Sequence, residues 1–240
     1  MTYTVIARCE RTKQIGVAIA TYSLAVGGLC PQIASHVGAL SSQAFVNPEL
    51  RHLGINLLAS GHSANQALEL TIRSDSQPEF RQFGIIDREG RTAVHTGKST
   101  RAYSGHIAKT NYAVFGNVLD SEEVIQAMST AFEASAQESL SERLIRTLEA
   151  GKRAGGQRGG AGPLPERSAS IIVHGSSPVA ELDLRIDEHD DAVVELRRLF
   201  DGYRPYLAYH QQRWTNPESA LPQEQFVKGL AERSRAPLRT

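Results

Sequence analysis

The apolar positions of this chain switch between a period of two and a period near 3.6, and the switches come in blocks. TYTVIAR (2–8) is β-branched and aromatic and alternates, ERTKQ makes a polar turn, and IGVAIAT (15–21) is a small, apolar run. Both predict strands, the second buried on both faces. After Gly27, Gly28 and Pro31, HVGALSSQAF (36–45) reads as another buried strand, small and hydroxyl-rich. Pro48 then opens a helix in which Leu50, Leu53, Leu57 and Leu58 form a stripe that Gly61 ends. Ser63 caps a second helix carrying Ala67, Leu68, Leu70 and Ile72. The short connection between these helices favours an αα-hairpin.

Strands return with FRQFGIID (80–87) and RTAVHTG (91–97), which flank a hairpin turn, Asp87-Arg88-Glu89-Gly90, with glycine where a positive φ is needed. NYAVFGN (111–117) is a further strand. A second helix pair follows, with capping boxes read as Asp120 with Glu123 and Ser139 with Glu142. GGQRGGAGPLP (155–165) reads as a mobile loop. SASIIVHG (168–175) and AELDLRID (180–187) make a closing strand pair, AVVELRRLFDG (192–202) a helix, and the tail one short helix around 223–233. Hairpin-like strand blocks interleaved with helix pairs predict an α+β fold, two antiparallel sheets stacked between two helical layers. Residues 1–202 would form that domain and 203–240 a partly helical C-terminal extension.

Composition narrows the function. The chain has 240 residues, 40% apolar and 22% charged, with 26 Lys+Arg against 26 Asp+Glu. A zero net charge without a basic run argues against nucleic acid as a partner. No apolar stretch approaches the roughly 20 residues that span a bilayer, and MTYTVIARCE has none of the regions of a signal peptide. Two cysteines, Cys9 and Cys30, build neither a disulfide scaffold nor a four-ligand zinc site. The expectation is a reduced, cytoplasmic enzyme or ligand binder, without membrane contact.

Phosphate-loop, dinucleotide, serine-elbow and zinc-protease motifs are all missing. The acidic run Asp187-Glu188-His189-Asp190-Asp191 has metal-ligand chemistry, against a turn that places a carboxylate at the start of the next helix; no metal site is assigned. Cys9 and Cys30 suit small buried roles better than nucleophilic ones. What remains is the chain start. Thr2 follows Met1 and begins a strand. Methionine removal would leave a residue carrying both a hydroxyl and a free α-amine of reference pKa about 7.7–8.0. Such an amine can take the proton of its own hydroxyl, making a nucleophile with a built-in base. With modest desolvation its basic limb is expected between about pH 6.5 and 8.

Several stretches together resemble a bacterial and archaeal family catalogued as domain of unknown function 1028, placed in the N-terminal-nucleophile (Ntn) hydrolase superfamily. They are T-Y-T-V-I-A-R (2–8), G-V-A-I-A-T (16–21), A-V-G (25–27), S-Q-A-F-V-N-P (42–48), F-G-I-I-D-x-x-G (83–90), H-T-G (95–97), G-N-V-L (116–119) and D-L-R-I-D-E-H (183–189). The resemblance runs from residue 2 to about 200 and implies the four-layer α/β/β/α sandwich of Ntn hydrolases. Two departures stand out. Tyr22 occupies a place where the family often has Arg, and a compact G-D-x-R-G-x-Q-S-A stretch is here expanded into the glycine-rich segment.

The resemblance implies Thr2 as nucleophile and amine base. Thr21 could orient the amine or be simply a β-branched strand residue. Asn117 could donate to an oxyanion or end a strand in a turn. Gln43 and Asn47 could bind a substrate amide or serve as a core glutamine and an Asn-Pro turn. Arg158 could clamp a substrate carboxylate or be solvated. The expected activity is hydrolysis of a small amide or related C–N bond, not specific to peptide bonds, with no cofactor and in a homo-oligomer. The competing reading is a catalytically silent scaffold of the same fold that binds a small ligand or serves as an assembly subunit, with apolar groups filling the pocket at Thr2.

Overall fold

Residues 1–235 are described by a computed structural model of the chain. The strands β1 (Thr2–Arg8) and β2 (Ile15–Thr21) form where alternation and the apolar run place them, and every residue of both is buried. A short helix, α1 (Val26–Leu29), and the strand β3 (Pro31–Ala34) lead into β4 (Gly38–Ala44). The helix α2 (Pro48–Ala59) begins with proline at its first position, and α3 (Ala64–Ser74) begins on a full capping box between Ser63 and Gln66. The strands β5 (Arg81–Asp87) and β6 (Thr92–Thr96) flank the expected hairpin turn. Its last residue, Gly90, sits at φ +84°, which an L side chain rarely adopts.

The strand β7 (Ser104–Lys109), which the alternation did not reveal, pairs with β8 (Tyr112–Asn117). The helix α4 (Glu122–Ala134) starts at Glu122 after Ser121, not on the box expected of Asp120 and Glu123, because the Asp120 carboxylate is engaged by Arg158. The helix α5 (Leu140–Arg153) starts on Ser139, whose hydroxyl accepts the Glu142 N–H at 3.3 Å. The Glu142 carboxylate turns instead to Arg146 and Arg197.

The glycine-rich segment corrects the expectation of a mobile loop. β9 (Gln157–Gly159) and β10 (Gly162–Leu164) pair as a hairpin, since small residues at the turn let the backbone fold back on itself. The strands β11 (Ser168–His174) and β12 (Leu182–Ile186) complete the sheets. The helix expected over 192–202 continues: α6 runs Ala192–Thr215 through Pro205, and α7 spans Gln223–Arg235. Rings beyond Gly202 sustain the helix: Tyr203 stacks on Tyr206 at 5.9 Å, and Tyr209 on Phe226 at 4.0 Å. The chain separates into two compact units, Met1–Phe200 and the segment from Asp201 onward. Among the described residues no helix is long and apolar enough to cross a membrane.

In the first unit the six-stranded sheet runs β12-β11-β2-β1-β8-β7 and the four-stranded sheet β3-β4-β5-β6. Between them pack Ile6, Ile15, Val17, Ala113 and Phe115 from the larger sheet against Ala39 and Ile86 from the smaller. Leu50, Ile55 and Leu58 of α2, with Ala64 and Ala67 of α3, cover the outer face of the smaller sheet over Leu40, Phe83 and Ile85. Met128, Phe132, Leu144 and Leu148 of α4 and α5 are buried on the other side, with the Phe132 ring 4.5 Å from that of Tyr112. This is the expected four-layer α/β/β/α sandwich. Each large side chain so buried contributes about 1.5–3 kcal/mol, so the layers hold without a crosslink, and both cysteines are free and buried.

Candidate active site

β1 lies in the middle of the larger sheet, with β2 on one side and β8 on the other. Its first residue therefore has two neighbours, Thr21 and Asn117, and Thr2 is only 5% exposed although it stands at a strand end. Side chains alternate along a strand, so Thr2 and Thr4 share the inner face with Ile6. The space between the sheets is thus apolar in the middle and polar where β1 begins.

At the polar end Thr2, Thr21, Met1, Asn117, Gln82, Gln43 and Thr4 form one connected network. The Thr2 and Thr21 hydroxyl oxygens are 3.2 Å apart, and the Thr21 hydroxyl donates to the Met1 carbonyl oxygen. Thr21 has one proton to give, so the Thr2 hydroxyl is the donor in their contact. The Met1 amine donates to Asn117 Oδ1 at 2.6 Å, and Asn117 Nδ2 donates to Gln82 Oε1 at 3.0 Å. Gln82 Oε1 also accepts from Gln43 Nε2 at 2.8 Å, while Gln43 Oε1 accepts from the Thr4 hydroxyl at 2.6 Å. Gln82 Nε2 donates to the Gly116 carbonyl at 2.8 Å and to Thr96 Oγ1 at 3.1 Å. Buried amides are tolerable only when satisfied in this way.

Electrostatics act on the amine. Burial pushes the Met1 α-amine down from 8.0 to about 6; Cys30 opposes this and the Arg101 guanidinium adds to it. Burial raises the Cys30 thiol to about 12, so Cys30 remains protonated and unsuited to nucleophilic attack.

Beyond Thr2 the strand cannot continue. Arg158 N–H donates to the Val118 carbonyl at 3.1 Å and Asp120 N–H to the Gly156 carbonyl at 3.0 Å, while Leu119 and Gln157 face one another as a bridge. Val118 to Asp120 prolong β8, so residues 156–158 occupy the lane of β1. Gln157 then reaches the prolongation of β2, where its Oε1 accepts the Tyr22 N–H at 3.1 Å. Gln157 is fully buried and its Nε2 has no acceptor among the protein atoms.

Of the residues singled out in the sequence, Thr2, Thr21, Asn117 and Gln43 converge on this end of the sandwich. Asn47 and Arg158 do not enter the network. Asn47 caps α2, accepting the Glu49 N–H at 3.1 Å, and the exposed Arg158 pairs with Asp120. The acidic run forms the turn before α6: Asp191 accepts the Val194 N–H at 3.2 Å and pairs with Lys152 at 3.1 Å, and Glu188 pairs with Arg167 at 3.2 Å. Among the described residues no group of three His, Cys, Asp or Glu could hold a metal ion. Gln82, Gln157 and Arg101 were not singled out. Gln82 carried a usable signal, a polar residue sharing a strand face with Gly84 and Ile86 and hence pointing into the core. Gln157 carried none, because its place depends on a hairpin hidden in the glycine-rich segment.

A family model described as "Family of unknown function (DUF1028)" matches residues 2–196. A crystal structure of protein SPO2555 from Silicibacter pomeroyi, of the same family model, is similar at 27% identity and TM-score 0.77, covering 84% of this chain and 88% of that one. Weaker likenesses include eukaryotic HslV from Trypanosoma brucei, at 7% identity and TM-score 0.45 over 72% of this chain and 99% of that one. Anbu, the ancestral β-subunit, from Yersinia bercovieri is similar at 15% identity and TM-score 0.38, over 86% and 96%. No curated protein matches the sequence.

Proposed function

The chain belongs to the family of unknown function DUF1028, and we propose that it is an N-terminal-nucleophile amidohydrolase that opens a small amide or related C–N bond with Thr2 after Met1 is removed. The observation that carries this reading is the buried contact between the Thr2 and Thr21 hydroxyls, 3.2 Å apart, at the polar end of an otherwise apolar sandwich. A scaffold that only held its fold would gain more by filling this end with apolar side chains. The network here instead presents a hydroxyl, a desolvated amine position and an amide that orients it.

In the mature chain the Thr2 α-amine is the base and its own hydroxyl the nucleophile. Burial at this strand end, which lowers the Met1 amine to about 6, favours the neutral form of the amine that replaces it. Thr21 Oγ1 loses its Met1 acceptor on processing and, 3.2 Å from Thr2 Oγ1, is free to donate to it and aim it while the Thr2 proton passes to the amine. Asn117 stands opposite Thr2 across the β1–β8 pair, and its Oδ1, released by the Met1 amine on processing, is the acceptor that would orient the new amine. Attack on the amide carbonyl forms a threonyl ester and releases the amine product, and water hydrolyses the ester in a second step. These roles use only groups of this chain, and no cofactor enters them.

Intact-mass analysis combined with turnover of a panel of small amides tests the reading. An active preparation should begin at Thr2, and Thr2→Ala should leave the melting temperature within a few degrees while abolishing turnover. Full activity with Met1 quantitatively retained, or wild-type rates from Thr2→Ala, would place the chemistry elsewhere.

A further inference from the structure

We propose that Gln157 is the oxyanion donor of this site, its Nε2 binding the carbonyl oxygen of the substrate beside Thr2 Oγ1; this rests on the reading of Thr2 as the nucleophile.

The first support is position. Residues 156–158 pair with the prolongation of β8, and the Gln157 side chain reaches the prolongation of β2. Gln157, opposite Leu119 where Thr2 is opposite Asn117, therefore stands in line with β1, two register positions beyond Thr2. The second is chemistry. The Tyr22 N–H donates to one end of the Gln157 amide, which identifies that end as the oxygen and fixes the other as NH2. Both Nε2 protons are then buried without an acceptor. A native fold rarely leaves a buried donor unpaired without a use for it, and at a chain-terminal hydroxyl the missing acceptor is a substrate oxygen.

The step balances as follows. Thr2 Oγ1 bonds to the carbonyl carbon, its proton passes to the Thr2 amine, and the carbonyl π pair moves onto the oxygen, where Gln157 Nε2 donates to the developing charge. Collapse of this intermediate breaks the C–N bond, and the ammonium of Thr2 returns the proton to the departing nitrogen. A β-lactone probe follows the same course, its ring oxygen taking the place of that nitrogen, and leaves the whole probe on Thr2.

The experiment is acylation of the processed protein by a small β-lactone, timed by intact mass. Wild type should gain one probe mass, located on Thr2 by fragmentation. Gln157→Ala should lower the maximal acylation rate about 10²–10³-fold, the range found when one oxyanion donor is lost, with a smaller change in the half-saturating probe concentration. Gln157→Glu keeps an oxygen facing Tyr22 and removes the donor, so it should be slowed likewise and carries the test if the alanine variant does not fold. A role that is only structural would lower the melting temperature and leave the maximal rate of the folded protein unchanged, and that result overturns the proposal. Labelled wild type with equally fast Gln157 variants overturns the role of Gln157 alone. Unlabelled wild type overturns the nucleophile reading and this inference with it.

Discussion

The Thr4 hydroxyl donates to Oε1 of Gln43 at 2.6 Å across the space between the two sheets. Thr4 is two residues behind Thr2 on the same face of β1, so this bond ties the strand of Thr2 to the opposite sheet. The apolar contacts deeper in the sandwich are non-directional and hold the sheets together without fixing their offset. The directional bond supplies that offset at the polar end, where Thr2 stands.

Removing the hub of the network should therefore cost more than one hydrogen bond. Gln82→Ala leaves Gln43 Nε2 and Asn117 Nδ2 without their acceptor and the Gly116 carbonyl without its donor. Each buried orphan costs about 1–3 kcal/mol, so a loss of about 3–4 kcal/mol is expected after partial relaxation. Urea unfolding measures it; a shift under 1 kcal/mol would mean that the amides are not a connected unit.

Hydroxyl variants separate attack from aiming. Thr2→Ser keeps the nucleophile and loses the χ1 restriction of a β-branched side chain, so it should retain partial turnover. Thr21→Val preserves shape and deletes the hydroxyl 3.2 Å from Thr2 Oγ1. Its kcat should fall about 10- to 100-fold with KM little changed, the scale associated with a misplaced reacting group. A rise in KM alone would assign Thr21 to binding.

The amine makes activity depend on pH in a defined direction. Its protonated form cannot accept the Thr2 proton, so kcat/KM should rise with pH through the amine pKa. Burial brings the Met1 amine to about 6, with Arg101 and Cys30 the charged and titratable groups acting on it. The Thr2 amine, freed at the same strand end, should likewise titrate below its ordinary value because burial disfavours the ammonium. The profile should rise through that lowered pKa and level off above it. Stability follows the same sign. An amine whose folded pKa is lowered favours the unfolded chain when protonated, so the folded state loses stability as pH falls from about 8 through about 6. Activity unchanged after complete α-amine acetylation would remove the amine from the mechanism.

Gly84 offers a control on packing. A Cβ built there would lie 2.3 Å from Phe115 Cε1, inside the core between the sheets. Gly84→Ala should destabilise the protein by about 1–3 kcal/mol through overpacking, measurable by thermal or urea unfolding. Near-zero cost would show that Phe115 moves freely in that core.

The sequence was most legible where local chemistry and tertiary packing agree. β1 and β2, Pro48 at the head of α2, the Ser63 capping box and Gly90 in its turn each combine a periodic apolar pattern with a residue whose backbone preference suits the place. β7 was hidden because SGHIAK has a half-exposed, weakly apolar pattern and is held mainly by pairing to β8. α6 overran its expected end because ring stacking from Tyr203 onward outweighs Gly202 and Pro205 as breakers. At the site, Thr2, Thr21 and Asn117 were readable as strand-end residues, and the register makes them neighbours. Gln82 and Gln157 belong to other elements, and only the stacking of two sheets and a short hairpin brings them to this end of the sandwich.

The hairpin that fills the lane beyond Thr2 bears on how the protein should be produced. A tag fused ahead of Met1 cannot run on as strand, since residues 156–158 already hold the pairing partners that it would need. It must leave sideways over the inner face, through the gap where the Met1 carbonyl and amine now meet Thr21 and Asn117. On the proposed reading of Thr2 as the nucleophile, such a leader turns its amine into an amide and lies across its hydroxyl. Assays on tagged material would then record no turnover, so the leader has to be cut back to Thr2 or left off altogether.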